Sequence, residues 1–462
     1  MRCPSFARAA LIGAGLAAIA AAAGAPDAGA NGRPPATTNV RFRPGDEQEI
    51  FLPVTFGLLK STDDGASFRW VCEATVGYGG TFDPDYAVDG AGDIYATTFE
   101  GLRVSRDGGC TFETIGGVLD EEKFVSEVEI GPDGRVWAAT STGGGPNDVY
   151  VSADGSEFVS AGLPQEKAWW LSVRTTPADP MRVYVSGFLP DDTTTDPLAL
   201  LRRSIDGGQT WEELPVDQFA FIDRRDLYLV GVSPTDADVL FARVVGAVEP
   251  AGDALYRSGD GGLNWTRVAE FGDAISSFLI RTDGQTVIAA STNGCPGDAE
   301  PDLKGCVRIS HDGGVEWQLA AEQPRLACLG ERSDGTLFGC GANWEPDNFA
   351  LGSSTDGETW DKVFRFSETT GPLDCPAETQ QAECAALTWP TLCVMFGICD
   401  DLDASVGGPD AGEPSDGGDG GGCCRVGGGT TDASWVPGLL VVLFGLVWRS
   451  RARARDRIRS RK

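Results

Sequence analysis

The chain has 462 residues, 23% of them charged, and a formal net charge of −31. Acidic side chains outnumber basic ones by 68 to 37, which disfavours nucleic acid and anionic lipid as partners of the body and leaves cations, basic partners and neutral ligands. The single histidine, His311, sits inside a repeated turn motif, which argues against a Ser–His–Asp triad and against a histidine-rich metal site.

Residues 1–25 open with Arg2 and Arg8, continue as an Ala/Gly/Leu/Ile run and end in Ala23-Gly24-Ala25. This order predicts a secretory signal peptide with a small-residue cleavage site; Ala28-Gly29-Ala30 is a second such site. Cys3 precedes the apolar run, which does not fit a lipoprotein cysteine.

From residue 38 to 367 one pattern repeats. STDDGASF (from Ser61), SRDGGCTF (Ser105), SADGSEF (Ser152), SIDGGQTW (Ser204), SGDGGLNW (Ser258), SHDGGVEW (Ser310) and STDGETW (Ser354) share the skeleton Ser-x-Asp-(x)-Gly-x-x-Phe/Trp. Their spacing of roughly 44–54 residues marks one supersecondary unit repeated. Glycine supplies the positive φ of a tight turn, and the Asp and Ser side chains fold back onto nearby backbone N–H groups. The closing aromatic is a large apolar body suited to wedging under the turn.

Three short apolar runs precede most boxes, as in WWLSV, RVYVSG and LALLRRS before Ser204, and a fourth follows, as in TWEELP. Alternation, β-branched residues and Gly/Asp turns identify these as strands. Seven four-stranded units predict an all-β, seven-bladed β-propeller. The boxes then share one face, and the loops between second and third strands share the other. Those loops are acidic and vary in length. Residues 187–199 carry Asp191, Asp192 and Asp196; residues 292–306 carry Asp298, Glu300 and Asp302; residues 343–350 carry Trp344, Glu345 and Asp347. They are either ordinary solvated loops or an acidic binding rim, with Trp344 as an aromatic contact. Trp169 and Trp170 are either sugar-stacking or core residues.

Cys328 and Cys340 flank an SDG turn symmetrically and predict a disulfide across a hairpin; Cys295 and Cys306 bracket one loop and predict another. Cys72 and Cys110 are paired by elimination. Residues 368–402 form a Cys-rich segment whose Cys375, Cys384, Cys393 and Cys399 allow three pairings; their Cys-x₈-Cys spacing is wrong for a zinc knuckle. Residues 403–434 are Gly/Asp/Pro-rich and predict a flexible linker. Residues 435–448 (WVPGLLVVLFGLVW) are uncharged and followed, over 449–462, by an Arg-rich tail. A helix of that length spans about 21 Å, short of a hydrocarbon core of ~30 Å. The basic block nevertheless predicts a short transmembrane segment with a cytoplasmic flank.

The repeated box resembles the Asp-box, or bacterial neuraminidase repeat, of the sialidase, xyloglucanase, sortilin-type receptor and photosystem assembly factor propellers. In those families the box closes the turn between the third and fourth strands of a blade, away from the ligand face. The resemblance covers roughly residues 38–367. It implies fold strongly and function weakly. The Gly-rich GGGCCRVGGG tract, with Cys423 and Cys424, the short span and the Arg tail resemble the C-terminal sorting signal of myxobacterial surface proteins. That resemblance implies processing at one of these cysteines; an ordinary tail anchor is the alternative.

A sialidase-like site would need three arginines converging on a carboxylate. Its candidates here are Arg224, Arg225 and Arg325 with Asp273, beside Lys123 and Lys167, at the starts of innermost strands. Arg224 and Arg225 are adjacent, so on a strand they point oppositely and the triad falls short. RFRPG (Arg41–Gly45) resembles the Arg-Ile-Pro signature of sialidases but lacks its Ile. The expected protein is therefore an exported, surface-tethered propeller, monomeric, that binds a protein or glycan. A sialidase-like or other glycoside hydrolase is the alternative, and a structural surface component the second. No cofactor is expected, with a structural cation such as calcium on the box aspartates as the variant reading.

Overall fold

The structure, a computed structural model, describes residues 34–80, 82–165, 167–190, 197–221, 227–248, 252–296 and 304–399. These residues form seven antiparallel sheets of four strands, each sheet built from strands consecutive in sequence. Blade 1 holds β1 (Arg41–Arg43), β2 (Asp46–Val54), β3 (Gly57–Ser61) and β4 (Arg69–Val71). Blade 2 holds β5 (Tyr86–Val88), β6 (Ile94–Thr98), β7 (Gly101–Ser105) and β8 (Glu113–Thr114). In blade 3 come β9 (Val125–Ile130), β10 (Val136–Thr140), β11 (Val149–Ser152) and β12 (Val159–Ser160). Blade 4 follows with β13 (Trp169–Thr175), β14 (Val183–Leu189), β15 (Leu198–Ser204) and β16 (Glu212–Glu213). Blade 5 has β17 (Leu227–Val232), β18 (Leu240–Val248), β19 (Gly252–Ser258) and β20 (Thr266–Glu270). Blade 6 has β21 (Ile275–Ile280), β22 (Val287–Ser291), β23 (Cys306–Ser310) and β24 (Gln318–Leu319). Blade 7 ends the ring with β25 (Cys328–Glu331), β26 (Leu337–Cys340), β27 (Leu351–Ser354) and β28 (Asp361–Phe364).

Antiparallel order puts the first–second and third–fourth turns of every blade on one face, the turn face. The second–third loops and the blade-to-blade connections lie on the other, the loop face. All seven boxes close third–fourth turns. In SIDGGQTW the Ser204 hydroxyl oxygen accepts from Gly208 N at 2.8 Å, and Asp206 accepts from Thr210 N at 2.8 Å and Thr210 Oγ1 at 2.6 Å. The same Ser-to-Gly bond recurs in all the other boxes. Gly208 has φ +89, and a Cβ there would meet the Trp137 ring of blade 3 at 2.7 Å, so turn and blade packing both require glycine.

Core packing runs between blades. Trp137 and Ala139 of blade 3 pack with Trp170, Val173 and Val185 of blade 4, all buried. On the turn face a cation of one blade meets the box of the next. Lys60 donates to Gly108 O at 3.1 Å, Arg106 to Gly155 O at 3.3 Å and Arg135 to Gly207 O at 2.9 Å. Arg203 donates to Gly261 O at 2.9 Å, Arg257 to Gly313 O at 2.7 Å and Arg281 to Thr355 O at 3.1 Å. Arg332 closes the circle with an ion pair to Asp64 in the first box. Six of these seven contacts end on a box backbone carbonyl and the seventh on the Asp64 carboxylate.

Among the described residues the ends of the ring exchange no strand. Blade 7 meets blade 1 through Phe42 and Phe338, 5.2 Å apart, and through Glu47, which accepts from Ser333 N at 2.9 Å. The chain then runs along the outer edge of blade 1, where Trp70 bridges Pro372 in parallel. A short helix α1 (Glu73–Val76) follows β4, and two more, α2 (Gln380–Leu387) and α3 (Trp389–Met395), close the described chain. Phe396 packs on Phe56 and Phe366 beneath them.

Disulfides join Cys328 to Cys340 and Cys295 to Cys306, as their spacing predicts. The pairing of Cys72 with Cys110 is overturned. Cys72 is bonded to Cys384 and Cys110 to Cys375, while Cys393 pairs with Cys399. Elimination failed because it kept the Cys-rich segment to itself. That segment instead folds back onto blades 1 and 2 and supplies the partners. The segments expected to be signal peptide, linker, transmembrane span and basic tail, with Cys423 and Cys424, lie outside the described residues. Among the described residues no helix is long and apolar enough to cross a membrane.

Candidate functional site

The innermost strands surround a central cavity of about 1060 Å³ lined by residues of all seven blades. Strand alternation decides which side chains face it. Glu127 and Glu129, two apart on β9, point the same way, as does Arg174 near the end of β13. Arg174 Nη1 lies 2.5 Å from Glu127 Oε1 and 3.4 Å from Glu129 Oε2. Glu129 also accepts from Thr175 N at 2.6 Å and Thr175 Oγ1 at 2.7 Å.

Burial pushes the Glu127 carboxyl up to about 7 against the pull of Arg174, and nearby Asp85 adds to the rise. Burial raises Glu129 as well, with Arg174 and the Thr175 hydrogen bonds opposing. Burial pulls the Arg174 guanidinium down, but Glu127 and Glu129 together hold it above the usual arginine value. Among the described residues the other arginines lining the cavity, Arg41 and Arg243, also have carboxylates of their own. Arg41 bonds Asp85 at 3.2 Å and donates to Tyr86 O at 2.7 Å, while Arg243 bonds the buried Asp253 at 2.5 Å. A sialidase-like triad needs guanidinium groups left over for a ligand carboxylate. Arg41, Arg174 and Arg243 are each matched inside the protein.

Only some of the positions singled out in the sequence fall among the described residues. Arg224 and Arg225 lie outside the described residues, as do Asp191, Asp192, Asp196, Asp298, Glu300 and Asp302. Arg325 is half-buried, and its backbone N–H donates to Asp347 at 3.0 Å. Asp273 accepts from the Asn293 side-chain amide, and Lys123 donates to Pro146 O at 2.9 Å. Lys167 is exposed. Among the described candidates, Lys123, Asp273 and Arg325 are absent from the cavity lining. Trp170 is buried in the core; Trp169 packs on Phe188 at 5.6 Å.

Trp344 is 52% exposed and borders a loop-face pocket of about 350 Å³ with Glu345, Arg365 and Phe396. Asp347 ties its loop down by accepting from Ala342 N at 2.7 Å. A second aromatic feature was not anticipated. Phe99, in the second–third loop of blade 2, stacks on Phe124 at 4.5 Å, and Phe82 packs on Phe99 at 4.6 Å. Glu127 and Glu129 stand two apart in VSEVEI, the first strand of blade 3, and that spacing is readable in the sequence. Phe99 and Phe124 stand far apart in sequence and carried no such signal.

The box aspartates use their oxygens within their own turns, and their carboxyls are held low. For Asp206 the Thr210 hydroxyl contributes most and the value falls to about 2. Among the described residues no group of three or more His, Cys, Asp or Glu side chains is placed to hold a metal ion.

No family model matches the chain. The xyloglucanase Xgh74A of Acetivibrio thermocellus is 25% identical over 172 residues, covering 33% of this chain and 20% of that protein. The match therefore spans a fifth of the curated relative. Among solved structures, an ancestral GH74 enzyme matches with a TM-score of 0.44 and 14% identity over 73% of this chain and 55% of that one. The GH74 xyloglucanase from Xanthomonas campestris gives a TM-score of 0.35 and 17% identity, covering 70% of this chain and 57% of its own. YCF48 from Cyanidioschyzon merolae gives 0.42 and 13%, covering 67% and 93%. The chain is thus similar to GH74 xyloglucanases and to other propeller proteins.

Proposed function

We propose that this propeller works by binding, as an exported scaffold held at the cell envelope by the region beyond residue 402, with its ligand on the loop face. One observation supports the reading above the others: Arg174 is shared by Glu127 and Glu129. A glycoside hydrolase needs one carboxyl to give a proton and a second to act as base or nucleophile, with the sugar between them. In the cavity a guanidinium joins the two carboxylates instead. The loop face, by contrast, carries half-exposed Trp344 and the exposed Phe99 on a rigid frame, where loops commonly hold binding residues.

The acidic loop residues Asp191, Asp192, Asp298, Glu300 and Asp302, with Trp344, are the proposed contacts, and the partner is a protein or glycan. The hydrolase reading keeps two supports: the likeness to Xgh74A and the raised proton affinity of Glu127, which suits a general acid. A hydrolysis panel of xyloglucan, other neutral polysaccharides and sialosides separates the two. We expect retention of a ligand without turnover, and weaker retention when the five loop carboxylates are neutralised. Turnover abolished by Glu127→Gln would establish a hydrolase at the cavity. Turnover abolished by changing Arg224, Arg225 or Arg325 would establish a sialidase-like site.

A further inference from the structure

We infer that the Phe82–Phe99–Phe124 stack is a docking platform for a basic peptide segment that carries apolar side chains. The inference rests on the binding reading and names the chemistry of one partner for the loop face.

The platform is rigid for local reasons. Phe99 stands at the apex of a short connection between β6, ending at Thr98, and β7, beginning at Gly101. Thr98 Oγ1 donates to Gly101 O at 2.7 Å and accepts from Glu100 N at 3.1 Å. Gly101 has φ +93, and a Cβ there would meet Leu119 O at 2.6 Å and Asp120 O at 2.7 Å. The 119–123 segment therefore lies directly against the connection, and Gly101 N donates to Lys123 O at 2.8 Å. Phe124 is held by its own N–H on Thr142 Oγ1 at 2.9 Å, and its ring lies within 20° of parallel to that of Phe99. Phe99 nonetheless remains 60% exposed, and Val118 beside this segment is 39% exposed.

The charge around the platform is one-sided. Glu100, Glu121 and Glu122 are exposed and Asp83 and Asp120 half-exposed in the segments that carry the rings. The one cation in those segments, Lys123, turns its ammonium to Pro146 O at 2.9 Å. An exposed aromatic face on segments that carry carboxylates attracts lysine or arginine twice over, through the ring quadrupole and through charge. An acidic peptide or an anionic lipid would be repelled. A neutral glycan can donate its hydroxyls to the carboxylates but gains nothing from their charge, so its binding would not weaken with salt as that of a basic peptide does.

The test uses the full chain and a short fluorescent peptide alternating Arg or Lys with Leu, against its counterpart with Glu in place of each basic residue. We expect binding of the basic probe alone, weakening as salt rises. Phe99→Ser, at an exposed position, should weaken it by about tenfold or more, as loss of a central aromatic anchor does. Glu121→Gln with Glu122→Gln should weaken it at low salt and little at high salt. Ile205→Ser, an exposed apolar residue on the turn face, should change nothing. Equal binding of the acidic probe, or an unaffected Phe99→Ser variant, overturns the inference. If neutral polysaccharide is retained and the basic probe is not, this inference fails and the binding reading stands. If neither binds, both fail.

Discussion

Cys72, at the head of α1, is bonded to Cys384 on α2, 312 residues later in the chain. Beside that bond Gln381 accepts from Cys72 N at 2.9 Å and donates to Trp70 O at 2.7 Å. With Cys110–Cys375, it ties the segment after blade 7 to blades 1 and 2. A propeller whose blades are each continuous in sequence has no exchanged strand to hold its ends together. Here the Cys-rich segment does that work.

The two long-range bonds should therefore matter most for stability. With Cys110–Cys375 intact, Cys72–Cys384 closes a loop of roughly 50 residues, which the chain-entropy model values at about 4 kcal/mol, against about 3 kcal/mol for the short Cys328–Cys340 loop, before any strain. Urea unfolding of Cys72→Ala/Cys384→Ala should show a larger loss than Cys328→Ala/Cys340→Ala. The reverse order would mean that the ring closes without its clasp.

Truncation tests the same point on the envelope side. A chain ending at Leu402 should be released from the envelope as folded protein. A chain ending at Ser367 should expose the Cys72 and Cys110 thiols to a thiol reagent and lose its sharp thermal transition. Envelope retention of the form ending at Leu402 would place the anchor elsewhere.

Arg203 of blade 4 joins blade 5 by donating to Gly261 O at 2.9 Å, and is held within its own blade by an ion pair with Glu212 at 2.6 Å. Arg203→Ala leaves the box carbonyl without its charged donor. The expected cost is about 1.5–3 kcal/mol by denaturant unfolding. A change below about 0.5 kcal/mol would reduce the interblade cations to decoration.

Glu127 makes stability depend on pH. Its folded proton affinity is raised to about 7, whereas an unfolded glutamate titrates near ~4.3. The folded state binds the extra proton between those values, so this group's contribution is greatest below the lower one and is lost as pH rises toward 7. Arg174→Met removes the counter-charge, should cost about 3 kcal/mol, and should cost more at pH 8 than at pH 5. A Glu127 carboxyl resonance titrating below 5 would contradict this.

Asp206 runs the other way. Its carboxyl is held at about 2, first by the Thr210 hydroxyl and then by backbone N–H groups. Its stabilising effect is present above the unfolded value of about 3.9 and is lost as pH falls through about 2. Carbon-detected NMR titration should find the same depressed midpoint in Asp206, and Thr210→Val should raise it.

The blade plan was legible in the sequence because every piece of it is local. Ser204, Asp206 and Gly208 close their turn with groups from the same octapeptide, and short apolar, β-branched runs between Gly/Asp turns mark the strands. Cys328 and Cys340 fall opposite each other because hairpin register follows from the turn between them. Partner choices across the ring were decided by tertiary structure. Cys72 and Cys384, Arg203 and Gly261, Arg174 and its two glutamates, and Phe99 and Phe124 each join different blades or the C-terminal clasp to a blade. Their meeting depends on how many blades close the circle and where the C-terminal segment returns. No residue near any of them in the chain carries that information, since closure is a property of the whole ring.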